Sequence, residues 1–295
     1  MARGKIVDAL KDRVLFSDGA WGTFLIEKGL ATGECPELWC VKRPEDVMEI
    51  AKSYIDAGAD MIETNSFGGT RYKLGLYGLE GRVGEINEAA ARISREAAGD
   101  DHWVIASAGP TGKLVIMKEI TPRDYYDAFK EQSAALEKGG ADAICIETMM
   151  ATDEAVQAIR AARENTGLEV ICTFTFSPAK KGEFRTLTGV KPAEACTAAF
   201  EAGADIVGAN CGNGIENMIT IVKEIRAALP QTPILVHSNA GMPEIGGDGK
   251  ERYLSTPEMM AAGVGELIRA GAGIIGGCCG TAPAHIRAMR EAALG

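Results

Sequence analysis

Ala57-Gly58-Ala59-Asp60, Gly139-Gly140-Ala141-Asp142, Ala202-Gly203-Ala204-Asp205 and Ala270-Gly271-Ala272-Gly273 are near-copies of one short phrase, and their reading decides the fold. Each follows a helically patterned stretch and precedes an apolar run, so each reads as a glycine helix stop leading straight into a strand. A helix-to-strand connection this short, used four times, marks a parallel α/β array. Working outward, strands are predicted at 14–18, 61–65, 104–108, 143–147, 170–174, 206–210, 234–238 and 273–277. Helices are predicted between and after them at 44–57, 85–97, 123–138, 153–165, 192–202, 216–229, 257–270 and 283–293. Start signals such as Thr152-Asp153-Glu154 and Ser255-Thr256-Pro257-Glu258 place a capping oxygen, early acids or an early proline where a helix N-terminus favours them. Eight βα units in 295 residues match a (β/α)8 TIM barrel, which takes about 250 residues. A doubly wound open sheet would leave the eighth unit without a role.

Connections after strands are long (67–84, 109–122, 177–190, 241–255), whereas those before strands two, four, six and eight are only a few residues. In a barrel the loops at the C-terminal ends of the strands build the active face, and the insertions have accumulated there. No linker or low-complexity segment divides the chain, so one domain over residues 1–295 is expected.

Composition narrows the class. The chain is 46% hydrophobic and 24% charged, an ordinary balance for a protein with one large core. A net charge of −10 argues against nucleic acid as a partner. No apolar run approaches the ~20 residues needed to cross a bilayer. Met1-Ala2-Arg3-Gly4-Lys5 leads into a mixed charged stretch instead of a secretory segment, so a cytoplasmic location is expected. Eight cysteines are sparse for a disulfide scaffold of this size.

Three of those cysteines stand apart. Ala209-Asn210-Cys211-Gly212 and Gly276-Gly277-Cys278-Cys279-Gly280 each follow an apolar run, where a strand gives way to a glycine-rich turn. Adjacent cysteines in a regular strand would point to opposite faces, but the flanking glycines let the backbone leave the pleat and bring both thiols to one ion. Alternate strands of a barrel fill the same layer, so strands six and eight can present these thiols at similar height. Three thiolates suit a soft divalent metal, with zinc the first choice, and three protein ligands with an open position describe a catalytic site. Strand seven lies between them and offers His237 or Asn239 for the fourth position when substrate is absent. His237, beside Ser238, reads more naturally as a hydrogen-bonded scaffold residue. Of the other cysteines, Cys35 and Cys40 have no metal spacing with these, and Cys145, Cys172 and Cys196 read as core.

The strand ends also supply Asp18, Glu63, Asn65, Ser107, Glu147, Thr148 and Asn210. Glu147 closes an apolar run and would be poorly solvated without a cationic partner, a role that a substrate ammonium can fill. Asp18-Gly19 can be read as only a turn. None of the predicted strands carries lysine or arginine, which removes a strand-borne Schiff-base lysine. There is no phosphate-loop motif and no Gly-x-Gly-x-x-Gly after a strand.

These segments resemble the homocysteine S-methyltransferase family, which includes the N-terminal homocysteine-binding domain of cobalamin-dependent methionine synthase. The resemblance rests on Asp18-Gly19-Ala20-Trp21-Gly22-Thr23, Gly58-Ala59-Asp60 with Glu63-Thr64-Asn65-Ser66-Phe67, Ile146-Glu147-Thr148, Gly208-Ala209-Asn210-Cys211, Asn239-Ala240-Gly241 and Gly276-Gly277-Cys278-Cys279-Gly280-Thr281. It implies that Cys211, Cys278 and Cys279 bind Zn2+ and that Asp18, Gly19 and Glu147, with Asn239 nearby, hold homocysteine. A thiol of pKa ~8.5 that binds zinc is deprotonated and held, ready to attack a methyl group on a donor above the open face.

The sequence departs from the family by Ser238 where proline is commoner. Betaine users carry an aromatic residue where Thr148 stands, together with a longer C-terminal arm. The expected donor is therefore methylcobalamin, free or on a separate corrinoid protein, since no residues remain for a folate or cobalamin domain. S-methylmethionine, S-adenosylmethionine and betaine are the alternatives, and Trp21, Trp39, Phe67, Tyr72 and Tyr77 are available for a cage around a cationic donor. Loops after strands two, five and seven are expected to form a mobile rim. A reading from another class is a non-catalytic zinc- or corrinoid-handling subunit. A metal-dependent hydrolase would want histidine ligands, and only His102, His237 and His285 exist.

Overall fold

Eight parallel strands form one sheet around a central axis in a computed structural model that describes residues 4–245 and 251–295. Met1, Ala2 and Arg3, and residues 246–250 of the loop after strand seven, lie outside the described residues. The strands are Leu15–Phe16, Met61–Ile62, Trp103–Ala108, Ala143–Met149, Glu169–Phe174, Ile206–Asn210, Ile234–Ser238 and Ile274–Gly277. Strand one pairs with eight, and the order then runs seven, six, five, four, three, two. The remaining seam, between strands one and two, is stitched by Asp60, whose N–H donates to Phe16 O at 2.7 Å and whose Oδ2 accepts from Phe16 N at 2.8 Å. The result is a nearly closed α/β barrel of the TIM type, as the repeat predicts.

Side chains alternate across each strand, so one set points to the axis and the other to the helices. One layer of the inward set is Leu15, Met61, Ile105, Cys145, Ile171, Ile206, Leu235 and Ile274, one from every strand, and it forms a single buried cluster with Trp103 and Ala143 from the starts of strands three and four. Each of the large apolar side chains among them contributes roughly 1.5–3 kcal/mol by leaving water. Below this layer lies the short helix Ile6–Ala9, which the sequence reading did not anticipate. Glu169 holds it there by accepting from Ile6 N at 2.7 Å and Val7 N at 3.1 Å, and Ile6 itself joins the axial cluster. The outward set, including Phe16, Val104, Ile144, Cys172 and Val207, packs against the surrounding helices in a second and larger core that also holds Cys196.

The repeated phrase works as predicted, and its parts have separate duties. Gly58, Gly140, Gly203 and Gly271 all take positive φ, between 96° and 116°, which a residue with a side chain adopts only under strain. Three of the four following positions are aspartates, and each pins the start of its strand to the one before. Asp142 Oδ2 accepts from Val104 N and Asp205 Oδ2 from Val170 N, both at 2.8 Å, as Asp60 does from Phe16. Each aspartate also pairs with an arginine: Arg13 with Asp60 at 2.9 Å, Arg95 with Asp142 at 2.7 Å, and Arg163 with Asp205. In the fourth copy Gly273 replaces the aspartate, and Arg226 donates to the carbonyls of Leu229 and Gly271 instead.

The long loops acquire small elements of their own. A short helix, Arg71–Gly75, follows strand two, and two-stranded ribbons follow strand five (Ser177–Pro178 with Phe184–Arg185) and strand seven (Glu244–Ile245 with Glu251–Arg252). No described helix is long and apolar enough to cross a membrane.

Candidate active site

The inward side of the barrel changes character towards its C-terminal mouth. Two residues above the apolar layer stand Ser17, Glu63, Ser107, Glu147, Thr173, Gly208, His237 and Gly276, again one per strand. A Cβ on Gly208 would lie 1.8 Å from Leu235 O, and one on Gly276 would meet Asp18 O at 2.8 Å, so neither position admits a side chain. The inward positions above those glycines belong to Asn210 and Cys278.

Strand six ends at Asn210, and Cys211 then turns with φ of 60°, its N–H donating to His237 O at 3.0 Å. Strand eight ends at Gly277, so Cys278 and Cys279 lie in a turn and not in the pleat that would separate them. Cys278 N donates to Ser238 O at 2.8 Å, and Ala240 N donates to Cys279 O at 3.0 Å. Thr281 completes the clamp: its hydroxyl donates to Cys278 O at 2.7 Å and accepts from Ala20 N at 3.1 Å. The three Sγ atoms consequently lie within 4.8 Å of one another, with Cys211 and Cys279 at 3.8 Å. Hydrogen bonds from Cys211 and Cys278 hold the Cys279 thiol well below the usual range, while the same sharing pushes Cys278 up.

The donor set fits zinc. Tetrahedral coordination at a Zn–S distance of about 2.3 Å separates sulfurs by about 3.8 Å. The Cys211 to Cys279 distance of 3.8 Å meets that requirement. Among the described residues no other set of three or more histidine, cysteine or acidic ligand atoms gathers in this way.

The thiols form one wall of a cavity of about 310 Å³ whose other walls carry Gly19, Trp21, Glu63, Phe67, Ser107, Glu147, Thr148 and His237. Glu147 accepts from the Ser107 hydroxyl and, at 3.0 Å, from Asn210 Nδ2. Burial nevertheless pushes its pKa up to about 7, the Asp18 charge adding to the rise. Glu63 is raised as well, by burial and then by the charges of Glu147 and Asp18, and its Oε1 has no hydrogen-bond partner. His237 Nδ1 lies 3.6 Å from that oxygen, but burial lowers the imidazole to about 4 and keeps it neutral. The carboxylates at the mouth thus face a space that contains no fixed cation among the described residues. In such surroundings a carboxylate's charge is relieved only by a proton or by a cation entering the cavity.

Of the predicted site residues, Gly19, Glu147, Cys211, Cys278 and Cys279 line the one cavity. Asp18 and Asn239 are buried but are not on the cavity wall. Asp18 is occupied internally: Oδ2 accepts from Glu63 N at 2.7 Å and Trp21 Nε1 at 2.9 Å, and Oδ1 from the Ser17 hydroxyl at 3.1 Å. Burial raises it to about 6. Gly19 is on the wall, where a Cβ would come within 2.5 Å of Thr281 Oγ1. Of the aromatic residues proposed for a cage, Trp21 and Phe67 line the cavity, whereas Trp39 is buried with Arg43 stacked on it and Tyr72 and Tyr77 stand away from the wall. Glu63, Ser107 and Thr281 were not singled out for a role. Counting in twos along each strand from the apolar layer reaches the first two, but Thr281 acts from a turn where that count no longer applies.

A TIM barrel with three thiols and buried carboxylates gathered at its mouth is the architecture that the fold and site define. The chain belongs to the homocysteine S-methyltransferase family, whose sequence profile matches residues 15–293. It is 31% identical to a methionine synthase of Mycobacterium tuberculosis and 30% identical to that of Mycobacterium leprae, in each case over 97% of this chain and 25% of the relative. The chain therefore spans about a quarter of the length of these curated relatives. Its fold is similar to that of the homocysteine methyltransferase MmuM from Escherichia coli in its metallated form, with a TM-score of 0.78 and 22% identity over 97% of this chain and 98% of that one.

Proposed function

We propose that this barrel, as one domain, carries a methyl group from a donor to the sulfur of homocysteine and so forms methionine, with Cys211, Cys278 and Cys279 holding a zinc ion. The observation that carries the reading is the three-thiol cluster, within 4.8 Å, on the wall of the cavity that Glu147 and Glu63 also line. When bound, zinc would lower the pKa of the substrate thiol and fix the sulfur in place. The protein's own residues do the rest. Glu147, positioned by Ser107 and Asn210, receives the substrate ammonium, while Asp18 stands behind it and orients Trp21 and the backbone at Glu63. Gly19 keeps the wall thin beside the thiols, and Trp21 and Phe67 exclude water from the space between ammonium and sulfur. A sulfur–carbon bond then forms as the donor's bond to its methyl group breaks, the electron pair staying with the donor.

For the donor we favour methylcobalamin, free or on a corrinoid protein. The relatives are named methionine synthases, and only two aromatic side chains of those considered for a cage reach the cavity. S-methylmethionine, S-adenosylmethionine and betaine remain the comparison set. Methionine formation measured with each donor, with and without a corrinoid protein, tests the choice. Turnover with a sulfonium or betaine alone, and none with methylcobalamin, would reject this donor and leave the thiol chemistry in place. No methionine with any donor from zinc-loaded protein would remove the reading itself.

A further inference from the structure

Asn210 is fully buried, and its amide uses every hydrogen-bonding position it has. Oδ1 accepts from Thr148 N and from the Thr173 hydroxyl, both at 2.7 Å. Nδ2 donates to Thr148 Oγ1 at 2.7 Å and to Glu147 Oε2 at 3.0 Å. Its neighbours are unusual. Thr148, which it grips through backbone and side chain, has φ of 57°, and Cys211, the next residue in its own chain, has φ of 60°. They are two of only three non-glycine residues with positive φ among those described, and one amide lies between them. A β-branched residue such as Thr148 does not hold that conformation unless its surroundings impose it.

We infer that Asn210 is a positioning residue that sets the span between the carboxylate for the substrate ammonium and the thiol cluster for the substrate sulfur. One rigid side chain ends strand six, aims Glu147 across the cavity, and leads directly into Cys211. A substrate held at both ends must match that span, so Asn210 acts on homocysteine through Glu147 without touching it. The amide is specific to the task. Aspartate has the same shape but cannot donate to Glu147, and it places a second negative oxygen against Glu147 Oε2.

This rests on the reading of the site proposed above, and the test separates the two. Homocysteine binding by calorimetry, steady-state KM and kcat, and zinc content are measured for the zinc-loaded wild type, N210D, E147Q and the double variant N210D/E147Q. Wild type that binds no homocysteine would remove the underlying reading. With wild-type binding established, N210D is expected to weaken homocysteine by about tenfold or more, chiefly in KM, with zinc content unchanged. In N210D/E147Q donor and acceptor are exchanged, the bond is restored with reversed polarity, and the pair keeps its single negative charge. Because E147Q offers the ammonium no carboxylate, the double variant is read against E147Q: N210D should weaken binding at least severalfold less in the E147Q background than in the wild type, a non-additive result that a general loss of packing does not produce. The inference is overturned if N210D costs as much in the E147Q background as in the wild type, or if N210D binds like wild type. Should N210D fail to fold, the double variant decides: one that folds and binds homocysteine as E147Q does supports the pairing, and one that fails to fold or binds more weakly than E147Q overturns it.

Discussion

The two ends of the barrel use carboxylates in opposite ways. At the N-terminal end Asp60, Asp142 and Asp205 each accept a strand N–H and each meet an arginine. At the C-terminal end Asp18, Glu63 and Glu147 are packed into one buried neighbourhood where no described cation answers them, and all are raised by burial. Both ends contain carboxylates that strand geometry requires or tolerates, but only one end leaves charge for something else to neutralise. Asp60, Asp142 and Asp205 are thus neutralised within the fold, whereas Glu63 and Glu147 line a cavity with no arginine or lysine among its described walls.

The sharpest break in that comparison comes from the thiols. Serine at Cys211, Cys278 or Cys279 should lower zinc content measured by elemental analysis and reduce methyl transfer by more than about a hundredfold. Full zinc in all three variants would mean that the mouth binds no metal through them. Next in size, Glu147→Gln should raise KM for homocysteine by about tenfold to a hundredfold, equivalent to roughly 1–3 kcal/mol, while zinc stays bound. Equal loss of metal and substrate would make Glu147 structural, and the contrast between the two ends would collapse.

The matching change at the other end sharpens it. Asp142→Asn loses part of the Arg95 pairing and should cost about 1–2 kcal/mol of stability in denaturant titration, yet leave KM for homocysteine unaltered. A changed KM would show that the two ends are coupled.

The smallest effect is in pH. The folded-state pKa of Glu147 is raised from 4.5 to about 7 and that of Asp18 from 3.8 to about 6. Between the ordinary and the raised values the folded protein binds more protons than the unfolded chain, so the slope of stability with pH is negative. Stability of the ligand-free protein should be greatest below about pH 4 as far as these two groups decide it, and their contribution should fall as pH rises to about 7. Under the proposed function homocysteine would supply the missing cation and should stabilise the protein more at pH 8 than at pH 5, as read by thermal shift. A ligand shift independent of pH would count against ammonium recognition by these groups.

Much of this was legible before any coordinates. Four glycine-centred phrases fixed the short connections, and strands six and seven fall on the predicted residues, 206–210 and 234–238. Strands one and two are shorter than predicted, at Leu15–Phe16 and Met61–Ile62, because Asp18 and Glu63 have left the ladder to build the mouth. The thiol cluster was readable because cysteine beside glycine at a strand end has few other uses. The division of labour between Asp18 and Glu63 was not, since it depends on which oxygen is already occupied by Trp21 and a backbone amide. Asn210 was visible as a strand-end residue, but the three residues that share its four hydrogen bonds come from strands four and five, and no local pattern reveals such a meeting.

Gly273 has a consequence for how the barrel opens. Three aspartates latch strand two to one, four to three and six to five, and the last quarter, strands seven and eight, has no such latch. That quarter, joined by its ladder alone, also delivers Cys278 and Cys279, two of the three thiols. When zinc is added to metal-free protein, amide exchange should accordingly slow more across 234–238 and 274–277 than across the aspartate-latched strands 103–108 and 143–149. An equal change in both would show that the missing aspartate is without effect. An ion held by those thiols would then serve as a fourth latch, tying strand eight to strand six across the unlatched strand seven.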